Sequence, residues 1–493
     1  MKWIIFGLLI GTTGFLNAQN EEDALRYSQE SLGGTARNIS MAGAMTALGG
    51  DYSSTLKNPA ASGRFSKNNF SFTTFLENNN TTAEFQERSF AKSSNKLKLG
   101  NISYLKAYSL DPKKYNGWAG IQLGMGYNRK QSFNNSFSYG GESNGSIVDY
   151  FIAEADNTPP TNSSSLNPFS SGLAYESYVI DPYSTTNDST DYYYSSGAVG
   201  KSNHSRTVTT EGGMGEINFS ISGNYKNKLL IGGSFNVVTL NYDSRFSHQE
   251  QFKDSATWIT QLDYSGYLQA KGSGINARVG LIYIPAEFIR VGASIETPTR
   301  ISINEQFGND MTNTTINGTI SPENGPPTGA NDYIIRTPMR ANFSLGLVSK
   351  KIGSIGAELE LVDYSKTFMK SPSNIGTGFY SYNDENKQID NLYQSTFNLK
   401  FGAEARINKQ LYLRGGYAIF GSAYKPEKGV FDKPVQNYTA GIGYNFGSVY
   451  LDFATMFSKV GSEHYAYSPE LEGSNSLIQN DRKQFILSFG YRF

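Results

Sequence analysis

The last ten residues, Gln484-Phe485-Ile486-Leu487-Ser488-Phe489-Gly490-Tyr491-Arg492-Phe493, place Phe485, Leu487, Phe489, Tyr491 and Phe493 on one side of an extended chain. Ser488, Gly490 and Arg492 fall on the other side. A lone strand cannot cover such an apolar face, and the alternation recurs upstream in pairs joined by tight polar turns. Residues 449–453 and 438–444 flank Asn445-Phe446-Gly447-Ser448, and 411–419 and 397–407 flank Asn408-Lys409-Gln410. Residues 355–361 and 343–348 flank 350–353, and 289–295 and 275–283 flank Pro285-Ala286-Glu287. Residues 229–240 and 217–225 flank Lys226-Asn227, and 119–128, 97–108 and 70–78 complete the set. This makes about 14 strands, an even number. The connections at the opposite strand ends are long: 79–96, 132–212, 244–261, 307–333, 369–386, 420–435 and 458–481. All of them fall at one end, a parity that a soluble sandwich has no reason to keep. The expected fold is all-β: a 14-stranded antiparallel transmembrane outer-membrane β-barrel with tight periplasmic turns and long outer loops.

The start of the chain agrees with export. A charge at Lys2, an apolar run over 3–16 and Leu16-Asn17-Ala18 read as a secretory signal cleaved after Ala18. The run is too short for a spanning helix, which needs roughly 20 residues. The mean hydropathy of −0.44 leaves no room for one later. The 51 Gly, 33 Tyr and 31 Phe suit strands with a lipid-facing side and aromatic girdles. With 0 Cys there is neither a disulfide framework nor a lipid-anchoring cysteine, and 43 Lys plus Arg against 43 Asp plus Glu give no electrostatic case for nucleic acid. The outer loop 132–212 is crowded with Asn, Ser, Tyr and Pro, including Asn162-Ser163-Ser164-Ser165 and Tyr192-Tyr193-Tyr194-Ser195. It is expected to cap the outer mouth.

Between the signal (1–18) and the barrel (69–493), residues 19–68 lack strand character. They contain Gly33-Gly34-Thr35-Ala36-Arg37-Asn38-Ile39-Ser40-Met41-Ala42-Gly43-Ala44-Met45 and Asn58-Pro59-Ala60. Small residues favour tight packing, so the segment is expected to form short helices as a hatch in the lumen; a periplasmic tail is the other reading. The stretch 34–61 ending in Asn58-Pro59-Ala60 resembles the plug of the FadL family of outer-membrane transporters of long-chain fatty acids and other hydrophobic compounds. The glycine-rich strand 271–283, the hairpin Phe401-Gly402-Ala403-Glu404-Ala405-Arg406 with Leu411-Tyr412-Leu413-Arg414-Gly415-Gly416-Tyr417, and Thr439-Ala440-Gly441-Ile442-Gly443-Tyr444 resemble that family's later strands. The resemblance implies passive uptake of an apolar ligand, gating by the hatch at Asn58, Pro59 and Ala60, and sideways exit through a gap beside a kinked strand. Gly124 and Gly126 are candidates for the kink, although strand glycines more often mark close packing.

If the apolar faces meet lipid, Arg278, Glu296, Glu358, Glu360, Lys400, Glu404, Arg406, Arg414, Asp452 and Arg492 point inward. Cross-strand ion pairing of Glu358 and Glu360 with Lys400 and Arg406 is the structural expectation. A ligand carboxylate held by Arg278 or Arg414 is the sharper one. His204, His248 and His464 all fall in expected outer loops, and neither a nucleophilic triad nor a metal-ligand spacing is evident. No catalytic residue, metal or cofactor is therefore assigned. The expected partners are outer-membrane lipids, a hydrophobic small molecule and the outer-membrane assembly machinery. A second reading makes the chain a protein shuttle in a secretion and surface-attachment system, with a secreted protein held by loop 132–212. A third makes it a plain polar diffusion pore.

Overall fold

The computed structural model describes residues 21–493 apart from 157–164, 184–192, 199, 255, 324, 373–379, 429–432 and 469–470. The signal segment 1–18, residues 162–164 of the first polar run of the great loop and residue 192 of the second lie outside the described residues. The 14 wall strands are β1 (Asn69–Phe85), β2 (Arg88–Ser109), β3 (Trp118–Ser132), β4 (Ser202–Tyr225), β5 (Leu229–Phe252), β6 (Ile259–Ala286) and β7 (Ile289–Glu296), followed by β8 (Arg340–Ser349), β9 (Gly353–Asp363), β10 (Ser395–Arg406), β11 (Leu411–Phe420), β12 (Val435–Asn445), β13 (Val449–Tyr465) and β14 (Asn475–Arg492). Each pairs antiparallel with its sequence neighbour, and β14 closes the ring on β1 from Asn69↔Arg492 to Glu84↔Leu477. Closure pairs the first and last strands with each other, so the ring has no terminal edge inside the bilayer, where an unpaired backbone amide has no water to bond.

Alternation explains which side faces where. Ile121, Leu123, Phe235, Val279, Leu345, Phe401, Phe453 and Leu487 are exposed on the outer surface. Ser71, Asn101, Asn218, Asn276, Glu358 and Asp452, on the opposite register, are buried within. The apolar outer band and the polar interior are the arrangement a lipid-embedded barrel requires. Among the described residues no helix is long and apolar enough to cross a membrane, so strands do the crossing.

Three expected outer loops prove to be largely strand. Residues 79–96 form the upper part of the β1–β2 hairpin, which stays paired to Phe85↔Arg88. Much of 244–261 extends β5 and β6, and 307–333 includes parts of the strands Arg300–Thr315 and Thr328–Arg336, which continue the sheet from β6. With 28 residues in β6, where roughly 9–11 cross a bilayer, these strands rise into a collar beyond the membrane. The outward face there is polar, as at Ser302, Asn304 and Gln306, and the apolar residues point inward, so the pattern is not that of a lipid-facing strand. The great loop enters the collar. Its strand Asn135–Ser143 pairs with the outer part of β4, while α3 (Ile147–Ala155) and α4 (Ser171–Glu176) bury Phe151 and Leu173 against Leu262, Tyr264 and Met311.

Candidate functional site

Residues 21–68 fold inside the barrel as a plug. They comprise α1 (Glu21–Arg26), α2 (Ala36–Ser40) and two 3-10 helices, Tyr52–Leu56 and Pro59–Arg64. Asn58 starts the last of these: its Oδ1 accepts from the Ala60 amide at 3.0 Å, and Pro59 occupies the first turn, where no amide hydrogen is needed. Its Nδ2 donates to the wall carbonyls of Leu281 at 3.1 Å and Ala293 at 3.4 Å. Asn58 thus starts a turn of the plug and fastens it to β6 and β7 with one side chain.

The wall meets the plug with glycine. Gly346, Gly356, Gly402 and Gly416 stand directly opposite one another across β8 to β11. A Cβ on Gly356 would lie 1.9 Å from the Ala44 carbonyl oxygen, and one on Gly402 would lie 2.3 Å from that of Met41. A second row, Ser222, Gly232, Gly280 and Ser294, crosses β4 to β7. There a Cβ on Gly232 would lie 2.7 Å from the Ala60 nitrogen, and one on Gly280 2.1 Å from Asn58 Oδ1. Only glycine allows backbone to lie on backbone in this way. Gly124 and Gly126 of β3 serve the same end, since a Cβ on either would sit 2.7 Å from the Tyr52 ring.

Elsewhere the seat is ionic. Glu30 of the plug meets Lys57 at 2.6 Å, Lys130 at 2.5 Å and Arg340 at 3.7 Å. Glu360 bridges Lys57 at 2.5 Å and Arg340 at 2.7 Å. Lys130 also approaches Glu216 and Glu296, and both of these hold Arg278. Four cations and four carboxylates thus form one buried, charge-balanced cluster. Burial opposes charge on Glu30, but Lys130, Lys57 and Arg340 outweigh it and hold its carboxyl well below the usual range. A second cluster joins Arg37 of the plug to Glu404 at 3.0 Å, and Glu404 and Asp452 to Arg414 at 2.7 and 2.5 Å.

Both candidate ligand arginines therefore have protein partners. Arg278, 1% exposed, donates to both oxygens of Glu216 at 2.6 Å and to one of Glu296 at 2.8 Å. Arg414 spans Glu404 and Asp452. Lys400 pairs with Glu358 at 2.8 Å, as the cross-strand reading expects, whereas Glu360 turns to Lys57 and Arg340 instead of Arg406. Arg406 reaches the Lys350 carbonyl at the rim, and Arg492 lies over the Tyr450 ring. Glu30, Arg37 and Lys57 escaped sequence reasoning because the plug has no strand period, and Glu216 and Arg340 because they flank the apolar runs.

The wall is interrupted between β2 and β3. Their ladder runs only from Asn101↔Asn128 to Ser109↔Gly120, so residues 88–100 of β2 pair with β1 alone. The β3–β4 register shifts between Arg129 and Gln131, and the chain then turns inward behind β2. Asn79 of β1 donates to the Asn134 carbonyl at 2.7 Å, and Glu77 accepts from Ser132 at 2.8 Å. The plug touches this bend directly: the Ser31 amide and hydroxyl both donate to the Lys130 carbonyl, at 3.1 and 2.9 Å. Beyond the bend, Phe133 packs edge-on against Tyr27 and Tyr242 at 6.0 and 5.4 Å. Leu25 and Tyr27 sit there in an apolar interior with Leu240, Ile303 and Tyr333.

The histidines lie not in loops but on the strand extensions. The register sets His204 opposite Glu250, and the Nε2 atoms of His204 and His248 lie 3.4 and 2.9 Å from Glu250 Oε1. Two imidazoles and a carboxylate within 4.8 Å have the composition of a divalent-metal site. The carboxylate, however, is already engaged by the Ser146 hydroxyl and the Ile147 amide at the start of α3. Neither Nδ1 has an acceptor among the described residues, unlike most metal-bound imidazoles. The set fits a fastening of α3 to β5 better than a metal centre.

No protein-family model matches this chain, and no curated protein matches it in sequence. Its fold matches solved barrels. The Pseudomonas putida toluene transporter TodX superposes with a TM-score of 0.52 at 13% identity, over 94% of this chain and 99% of that one. A Pseudomonas aeruginosa FadL homologue superposes with a TM-score of 0.54 at 12% identity, again over 94% and 99%. These likenesses establish a shared architecture along nearly the whole chain.

Proposed function

We propose that this chain is a FadL-like channel for passive uptake of hydrophobic small molecules across the outer membrane, with long-chain fatty acids or similar lipids as cargo. One observation carries the reading: residues 25–33 of the plug touch both the apolar interior and the inward bend beside the wall gap. A ligand entering through the collar displaces Leu25 and Tyr27, and that displacement pulls on Glu30 and Ser31. Lys130 and the bend at 129–135 then shift, and the ligand leaves sideways between β2 and β3 into lipid. Asn58, Pro59 and Ala60 keep the lower plug seated meanwhile. Arg278 and Arg414 act as anchors of the charged clusters; direct contact with a ligand carboxylate would require one of their glutamates to let go. The fold shared with TodX and the FadL homologue supports the same reading.

Uptake of a labelled fatty acid and of a labelled aromatic hydrocarbon into whole cells or liposomes tests it, comparing wild type with the Asn58→Ala, Pro59→Ala double variant. Transport by wild type and altered transport by the variant is the expected result. Absence of transport of any apolar compound by either protein removes the reading, and large ion conductance by wild type in planar bilayers would favour the polar pore. The collar gives a specific ground for the second reading, a protein shuttle, because uptake of a small molecule needs no such height. A stoichiometric secreted protein crosslinked to loop 132–212 in intact membranes would establish it.

A further inference from the structure

The lipid-facing wall carries a notch of about 660 Å³ near the tight-turn end, within the roughly 300–1,000 Å³ usual for small-molecule sites. Its floor is made by two outward glycines, Gly223 of β4 and Gly233 of β5, set among Ile221, Ile231 and Val279. Tyr115 and Trp118, at the β2–β3 turn, close the end nearest the periplasm. Trp118 lies flat on the wall because Gly223 has no side chain: a Cβ there would be 2.4 Å from the indole. Ile221, Ile231 and Val279 stand out from the wall around these glycines, so the notch is a hollow in the apolar band.

The rim is basic. The two turns above the notch are stitched together by the Lys226 amide, which donates to the Gly117 carbonyl at 2.7 Å. They carry Lys113, Lys114, Lys226 and Lys228, all exposed and in no ion pair among the described residues, with Asp111 as the nearby acid in the same turns. Aromatic rings tie two of these ammonium groups to the notch. Lys114 Nζ lies 5.6 Å from the centre of the Tyr115 ring. Lys226 Nζ lies 5.0 Å from that of Tyr225, which packs edge-on against Trp118 at 5.5 Å.

We infer that the notch and its lysine rim bind an anionic phospholipid of the periplasmic leaflet, one acyl chain lying over Gly223 and Gly233 and the headgroup phosphate meeting the lysines. Short turns mark the periplasmic end of bacterial barrels, which places the rim at the headgroups of that leaflet. Phosphate attracts clustered lysines at a membrane surface, whereas a neutral headgroup brings no such net charge. The inference stands apart from the transport reading, since no residue of the plug or the wall gap takes part.

Native mass spectrometry of the full chain released from nanodiscs of phosphatidylethanolamine and phosphatidylglycerol tests it. Wild type should retain one phosphatidylglycerol in preference to phosphatidylethanolamine by about tenfold or more. Gly233→Leu should abolish retention by filling the hollow. The added side chain has room, because a Cβ at this position meets nothing nearer than the Arg278 carbonyl oxygen at 3.7 Å. Changing Lys113, Lys114, Lys226 and Lys228 together to Gln should keep a bound lipid but erase the preference. Unchanged melting by circular dichroism confirms that each variant is folded. Equal retention by wild type and Gly233→Leu overturns the site, as would a retained neutral hydrocarbon in place of phospholipid. A preference that survives the lysine changes overturns the assignment to an anionic headgroup.

Discussion

The plug is held by two kinds of surface that differ in what they tolerate. Along Gly346, Gly356, Gly402 and Gly416, and again at Gly232 and Gly280, the plug rests on bare wall backbone with no room for a methyl group. Around Glu30, Lys57, Lys130 and Arg340, long side chains reach across the lumen and meet in pairs. The glycine rows are steric, neutral and indifferent to pH. The charged cluster is strong only while every member is present, because each ion would otherwise lie buried without a counter-ion. In the uptake proposed above, the plug would pivot on its glycine seat and release at its ionic side, toward the wall gap that Lys130 adjoins.

The largest effect should come from removing one cation. Arg340→Met leaves Glu30 and Glu360 undercompensated and should loosen the plug by about 3–5 kcal/mol, read as faster hydrogen exchange across residues 24–33. Adding Glu360→Gln should recover part of the loss, because the two sites share one network. Next comes Gly402→Val, whose branched side chain is driven into Met41. It should cost about 1–3 kcal/mol, with new protease sensitivity over 36–48 and raised ion leakage in planar bilayers. If Gly402→Val changes neither, the glycine row is no seat. Asn58→Ala should cost about 1–2 kcal/mol by removing a helix cap and its wall bonds, with faster exchange confined to 52–64. The mildest perturbation is acid. Glu30 is held charged by its cations, so its contribution is complete above the unfolded carboxylate value of about 4.3 and lost as the pH falls below it. Exchange at 24–33 should therefore rise below roughly pH 4 in wild type, and that acid step should shrink in Glu30→Gln.

The strands within the bilayer were legible because one face of each must be apolar. Val449, Leu451 and Phe453, or Phe397 and Phe401, announce their own period. The collar was not, because Ser202–Thr210 and Ser244–Phe252 face water or a polar interior and carry no apolar alternation. Inward charges on the strands were legible as a class, but their partners were not. The plug supplies Glu30, Arg37 and Lys57 from positions that no periodicity marks. Glycine was read as a strand and turn residue, whereas its row across β8 to β11 becomes visible only once the register is known. Asn58-Pro59-Ala60 could be located in advance, but its grip on the carbonyls of Leu281 and Ala293 could not.

The seam between β14 and β1 has a consequence for how the molecule is made. The amide of Asn68 donates to the carbonyl of Phe493 at 3.0 Å, and the Phe493 amide returns a bond at 3.2 Å, so the seam between β1 and β14 is paired through to Phe493. The plug precedes the first wall strand and touches the wall from Gly124 of β3 to Ser488 of β14. Contacts that reach so far round the ring favour a plug already lying within the curling sheet when that seam zips, like a cork set in place before the last stave. Early folding of residues 36–64 against the β8 to β11 face would thus act as an internal template for curvature, and a variant that delays it should accumulate as an open sheet and not as an empty cylinder.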